Sequence, residues 1–296
     1  VDVADGLIVA NDEICILGEG PVWDATRNRV LWLDIRRGLV LTGTLQADGS
    51  VDIVDRTEFG QTVGAIGVAP TGEWIVAGAE ELLVRRTDGS VTNGPRVLPS
   101  SSGRRLNDGK ADPAGRFVVG SLSLEGPSDK EILVRVGGDG SITEIDSDLT
   151  LANGMAWTAN GSRMYSIDTL AQTVYLRSYN PSSGAVGPRQ VFLQIHGFPD
   201  GMCLDAEEHL WIAIWGSGEV RRYSPEGELV ATIKLPAPHV SSVAFAGPVL
   251  ETLVITTATQ DLSDEQLAEY PDSGRLFTVN AGVLGLPQTA WRGPIS

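Results

Sequence analysis

Four side chains with oxygen donors, Glu19, Asn107, Asn153 and Asp200, stand at matching places in similar short segments: LGEGPVW, RLNDGKA, LANGMAW and FPDGMCL. Two further segments open on Gly64 and Ser241. Successive openings are therefore 45, 43, 46, 47 and 41 residues apart. Carboxylate and amide oxygens gathered at one point are what a hard divalent cation needs. Two carboxylates, Glu19 and Asp200, would balance its charge. Taken singly, such residues also cap turns and bind water; four at one repeat position favour the cation.

The elements that must position these residues recur with the same period. After each opening residue come apolar residues, then a turn such as Ala69-Pro70-Thr71-Gly72, Asp112-Pro113-Ala114-Gly115 or Thr158-Ala159-Asn160-Gly161. These turns place Pro, Asn, Asp and Gly where turn geometry wants them. A second run, β-branched and aromatic, follows at 30–35, 74–77, 164–167 and 210–215, and a third at 82–86, 132–136, 174–179 and 220–223. The third copy is the densest. It carries Arg105, Asn107, Asp108 and Lys110 within six residues, ahead of its turn and a strand over 116–122.

A period in the forties with several short strands per copy is the mark of propeller blades. The expected fold is all-β, a six-bladed β-propeller with four-stranded blades around a central channel, residues 1–296 forming a single domain. Residues 6–16 are expected to complete the last blade beside 275–279. One helix is expected, at 263–269, opened by Ser263.

Composition narrows the function. Apolar residues make up 42% of the 296 and charged residues 20%, enough for a sizeable core. A net charge of −16 repels phosphate backbones, so nucleic acid is not an expected partner. No run approaches the roughly 20 apolar residues of a membrane span, and no membrane partner is expected. The opening VDVADGLIVANDE has neither a basic region nor a long apolar core, and does not read as a secretory signal. Cys15 and Cys203 lie far apart and outside any CxxC pair. Both are read as buried free thiols in a reducing compartment, the cytoplasm, with one long-range bridge between them as the alternative. There is no GxSxG elbow, HExxH, P-loop or EF-hand loop. His196, His209 and His239 lack ligand spacing and read as loop or surface residues.

Over essentially its whole length the chain resembles the SMP-30/gluconolactonase/regucalcin family of six-bladed, metal-dependent lactonases. The motifs that carry the resemblance are LGEGPVW, WLDI, RLNDGKADPAGR, LANGMAW, IDT, PDGMCLDAEEHLWIA, KLP and ITTA, in that order. It implies a divalent cation held by Glu19, Asn153 and Asp200, with Arg105 and Asn107 on the substrate side. Glu125, in the loop SLSLEGPSDK, is implied as a further substrate contact. Asp168, in IDT, is expected either to support the site or to bond a loop.

The implied reaction is metal-dependent hydrolysis of an aldonolactone to the open-chain sugar acid, with Asp200 also the catalytic base. Calcium stands first among the cations, with Zn2+, Mg2+, Mn2+ and Fe2+ as alternatives. The expected partner is a small sugar lactone and the expected state a monomer. Two other readings stay open: a propeller hydrolase of phosphotriesters or other esters, and a calcium-binding propeller without enzymatic activity.

Overall fold

The computed structural model describes residues 6–294; the extreme ends of the expected domain, 1–5 and 295–296, lie outside the described residues. Strand β1 (Ile8–Val9) comes first. The first sheet is β2 (Gly18–Asp24), β3 (Arg29–Asp34), β4 (Leu39–Leu45) and β5 (Val51–Glu58). The second is β6 (Ala65–Val68), β7 (Trp74–Ala77), β8 (Glu81–Arg85) and β9 (Val91–Arg96). The third is β10 (Arg104–Ala111), β11 (Phe117–Ser123), β12 (Glu131–Val136) and β13 (Ile142–Leu149). The fourth is β14 (Ala152–Trp157), β15 (Arg163–Asp168), β16 (Thr173–Ser178) and β17 (Gln190–Gln194). The fifth is β18 (Phe198–Leu204), β19 (Leu210–Trp215), β20 (Glu219–Tyr223) and β21 (Leu229–Lys234). The sixth is β22 (Val240–Ala246), β23 (Thr252–Thr257) and β24 (Phe277–Asn280), with β1 as its fourth member beside β24.

Six four-stranded antiparallel sheets of this kind make a six-bladed β-propeller. The chain divides into two compact units. One takes the residues up to Gly60 and His196–Pro287, and so holds the first, fifth and sixth sheets. The other takes Gln61–Ile195 and the residues from Gln288 on, and holds the second, third and fourth.

The second strand of each sheet reads as an apolar run because it is covered on both faces. RVLWLD, WIVA, RMYSID and LWIAIW are buried along almost all their length. They lie within one residue of the expected runs. The fourth strands are different. VDIVDRTE, VTNGPR and ITEIDSDL leave much of their length exposed, so they carry charge and no apolar signature. That is why the sequence shows three strands per copy where the structure has four.

The turns between first and second strands follow one plan. The N–H groups of Gly72, Gly115 and Gly161 bond back to Ala69, Asp112 and Thr158, at φ of 109°, 77° and 67°. Glu208 does the same to Asp205 at φ 62°, a left-handed backbone that costs a non-glycine residue about 1 kcal/mol. The expected helix is α1 (Asp264–Glu269). Ser263 caps it, and the Gln266 side chain closes a reciprocal capping box.

In the second unit a buried node ties the third sheet to the fourth. Asp112, fully buried, accepts Arg116 Nε at 2.6 Å and the Tyr179 hydroxyl at 2.5 Å on one carboxylate oxygen. Its other oxygen holds the N–H groups of Ala114 and Arg116. Arg116 spans on to the carbonyls of Pro181 and Ser182. Burial, then Asp112, push the Tyr179 phenol well above its ordinary pKa. Removing one member of a buried, hydrogen-bonded pair costs about 3–5 kcal/mol. Asp112→Ala is therefore expected to lower the thermal midpoint by far more than Tyr179→Phe, which removes a single hydrogen bond worth about 1 kcal/mol. Thermal unfolding of both variants checks it.

Candidate functional site

Glu19, Asn107, Asn153, Asp200 and Ser241 lie in the first strands of their sheets, where those strands lose register. The ladder shifts between Glu19 and Val22, between Leu106 and Gly109, between Asn153 and Met155, between Pro199 and Met202, and between Val240 and Ser242. Glu19, Asn107, Asn153, Asp200 and Ser241 thus sit in or beside a β-bulge. Such a bulge re-aims side chains that strict alternation would place elsewhere. The second sheet, opening at Gly64, pairs in continuous register from Ala65. Glu19, Asn107, Asn153 and Asp200 are 7%, 6%, 5% and 6% exposed, so all four polar groups are held away from bulk water.

In the second unit three of the expected residues meet directly. Asn107 Nδ2 donates to the Ala152 carbonyl and to Asn153 Oδ1, both at 3.0 Å. Arg105 Nη1 donates to Asn107 Oδ1 and to the Leu106 carbonyl, both at 2.9 Å. Asn153 Nδ2 in turn donates to Thr169 Oγ1 at 2.9 Å. The chain of donors fixes the Asn153 amide, since its nitrogen is committed to Thr169 and its oxygen faces Asn107. Gly64 admits this packing. A Cβ there would stand 2.6 Å from the Asn107 carbonyl oxygen and 2.7 Å from that of Leu106. Glu125 is exposed on the loop after β11, whose Leu124 N–H bonds to the Gly103 carbonyl. It lies against Gly103, two residues ahead of Arg105. Asp108 sits in the same bulge as Asn107, and burial pushes its carboxyl above the ordinary range despite Lys110 nearby.

In the first unit Glu19 and Asp200 are carried by β2 and β18, which both pack on β22. The Ser241 hydroxyl donates to the Gly18 carbonyl and shares a 2.9 Å bond with Thr256 Oγ1. It holds the backbone beside Glu19. On the other side Gly201 abuts Ser242, whose Cα would lie 2.7 Å from any Cβ at position 201. Glu19 accepts the N–H of Gly20 at 2.9 Å, which fixes its carboxylate.

Two carboxylates hold the chain as it enters these strands. Asp34, at the end of β3, accepts the N–H groups of Ile16 and Leu17 just ahead of β2. Asp168, at the end of β15, accepts those of Thr150 and Leu151 just ahead of β14. Asp168 therefore supports the site by bonding its loop. Asp34 does likewise for the chain just ahead of Gly18, a role that sequence reasoning missed although WLDI and SIDT hold matching places in the repeat.

The match to known proteins comes on top of this geometry. The model of the SMP-30/gluconolactonase/LRE-like region matches residues 17–259. The chain belongs to that family. A pentonolactonase of Haloferax volcanii is 32% identical over 285 residues, covering 94% of this chain and 95% of that protein. Regucalcin of Xenopus laevis is 31% identical over 288 residues, covering 94% and 95%. Among solved structures, a calcium-binding protein, regucalcin, from Agrobacterium tumefaciens superposes with a TM-score of 0.90 at 26% identity, covering 96% of this chain and 97% of that one. Bulged first strands thus carry LGEGPVW, RLNDGKA, LANGMAW and PDGMCL, four of the segments by which this chain resembles its family.

One acidic group could hold a metal ion on distance alone. Ligand atoms of Asp205, Glu207 and His209 lie within 4.8 Å of one another at the opposite end of the β18–β19 hairpin from Asp200. Asp205, however, is already saturated. It accepts Trp211 Nε1, Arg222 Nε and the N–H groups of Glu207 and His209, and Arg222 reaches Glu207 as well. A guanidinium fills the place of a cation there.

Asn107→Asp would set a carboxylate oxygen against the Ala152 carbonyl and Asn153 Oδ1. An unpaired buried acceptor costs about 1–3 kcal/mol. The variant is expected to melt at a lower temperature than wild type, while Asn107→Ser, which keeps a donor, is expected to fall between the two. Paired thermal melts test this ordering.

Proposed function

We propose that this protein hydrolyses a sugar lactone to the open-chain sugar acid and that one divalent cation assists it. The carrying observation is that Glu19, Asn153 and Asp200 occupy bulges of the first strands of three blades. They are also the positions that match the family's ligands. First strands of propeller blades face the central channel. Two carboxylates and an amide oxygen suit Ca2+, and also Mg2+, Mn2+, Fe2+ or Zn2+. The donor set fits: Thr169 takes the Asn153 nitrogen, so that amide presents its oxygen.

When bound, the cation would polarise the lactone carbonyl and favour the negative charge that builds on its oxygen. Asp200 would act as general base, drawing a proton from the attacking water, help typically worth about 10²–10⁴ in rate. The water oxygen bonds to the carbonyl carbon, the ring C–O bond breaks, and the released ring oxygen takes a proton. Arg105 and Asn107 would orient the sugar, the guanidinium donating to its hydroxyls and carbonyl and the Asn107 amide oxygen accepting from a hydroxyl. Their mutual hydrogen bond presets that geometry before substrate arrives. Glu125, exposed near the entry to β10, would accept a hydroxyl. The pentonolactonase relative supports a sugar lactone as the substrate class, and buried free thiols at Cys15 and Cys203 support a reducing, cytoplasmic setting. Burial raises Cys15 to about 12, so it stays a thiol at neutral pH.

A second reading, calcium binding without turnover, is favoured by the Agrobacterium tumefaciens regucalcin, a calcium-binding protein. Acid release from a panel of aldonolactones decides between them, run with chelator and again after single metals are restored. Metal-dependent hydrolysis, lost in Asp200→Asn with the fold intact, is the expected result. Turnover of phosphotriesters and of no lactone would contradict it, as would an active Asp200→Asn.

A further inference from the structure

Arg105 stands two residues ahead of Asn107, at the entry to its strand. The same place relative to Asp200 and Ser241 is taken by Phe198 and His239. Both are aromatic, and a third ring joins them. Phe198 is paired across the ladder with Trp215, the last residue of β19. Trp215 is bridged in turn to His239. Trp215 and His239 stack face to face, with ring centroids 4.1 Å apart and planes 12° from parallel.

Their surroundings fix this arrangement. His239 Nδ1 lies 2.8 Å from the Gln260 carbonyl, which can only accept, so Nδ1 carries the proton. Burial, acting against that bond, lowers the ring's pKa and favours the neutral tautomer, in which Nε2 is an acceptor. Trp215 and His239 are partly exposed, while Phe198 is 43% exposed. Cross-strand partners share one face of a sheet, so Phe198 and Trp215 stand on the same face, at the end of β18 that carries Asp200.

Resting on the lactonase reading, we infer that Phe198, Trp215 and His239 form an aromatic platform that takes the C–H face of the sugar lactone and sets substrate preference. Sugar rings present a polar rim of hydroxyls and an apolar face of C–H bonds. Aromatic rings match such a face while their polar tips serve hydroxyls. Small-molecule sites combine apolar walls with few polar anchors. The platform supplies such a wall beside Asp200, within the unit that carries them all. His239 Nε2 adds one acceptor for a ring hydroxyl.

The test uses the full-length protein with its metal. Hydrolysis of an aldonolactone is measured alongside calorimetric binding of the corresponding aldonic acid, for wild type, Phe198→Ala, Trp215→Ala and the conservative Phe198→Tyr. Phe198 is exposed, so its truncation leaves no cavity. Phe198→Ala and Trp215→Ala are each expected to raise KM about tenfold, with kcat within about threefold and acid binding weakened in step. Phe198→Tyr should restore wild-type KM. Unchanged KM and acid binding in both alanine variants, with wild type active, would overturn the platform and leave the lactonase reading standing. A wild type that binds the acid without hydrolysing any lactone would overturn the lactonase reading; the platform would then stand or fall on acid binding by the variants. A wild type that does neither would overturn both.

Discussion

Everything at the candidate site depends on an interruption of the β ladder. Strict alternation sends successive side chains to opposite faces of a strand, and a strand packed between neighbours has no place for an acid on either. The bulges at Glu19, Asn107, Asn153, Asp200 and Ser241 break that alternation in the first strands of five sheets. The break has a cost in packing. The residue beside it must be small where a neighbouring strand comes close, as at Gly201 against Ser242 and Gly18 against the Thr257 carbonyl, 2.5 Å from any added Cβ. Sequence, backbone and chemistry are therefore coupled: the glycines admit close approach, close approach holds the bulges, and the bulges aim the polar groups.

The acidic residues of this chain divide by what their oxygens already do. Asp112 and Asp205 are buried inside first-to-second-strand turns and satisfied by Arg116 and Tyr179, or by Arg222 and Trp211. Asp34 and Asp168 clamp backbone N–H groups at the strand entries. Asp48, Asp88 and Asp139 sit in exposed turns, each held below the ordinary carboxylate range first by a serine hydroxyl and then by a backbone N–H. Those bonds fit loop architecture and carry no chemistry. Glu19, Asp108 and Asp200 differ in being both buried and placed at the bulges.

The repeat was readable in the sequence because the second strands are apolar runs and the turns between them demand glycine or asparagine. RVLWLD, WIVA and LWIAIW announce themselves, as does the Ser263 cap of α1. The fourth strands were hidden because one face of each meets water, so ITEIDSDL and VTNGPR look like loops. The bulges were hidden as well: they are a relation between two strands, and neither strand's composition reports them. The residues were found by their repeat position, yet their neighbours were not. Nothing in the spacing of His239, 24 residues after Trp215, says that the two rings stack. Ser241 reads only as the opening residue of the sixth segment, whereas its hydroxyl holds the Gly18 carbonyl.

The central claim is that Glu19, Asn153 and Asp200 jointly hold one cation. Calorimetric titration of Ca2+, repeated with Mn2+, into the metal-free protein and its Glu19→Gln, Asn153→Ala and Asp200→Asn variants tests it most directly. The account predicts one ion per wild-type chain and strongly weakened binding in each of the three variants, with Glu207→Gln and His209→Ala binding as wild type does. Unchanged stoichiometry and affinity in the three variants would contradict it, and so would loss of the ion in Glu207→Gln or His209→Ala.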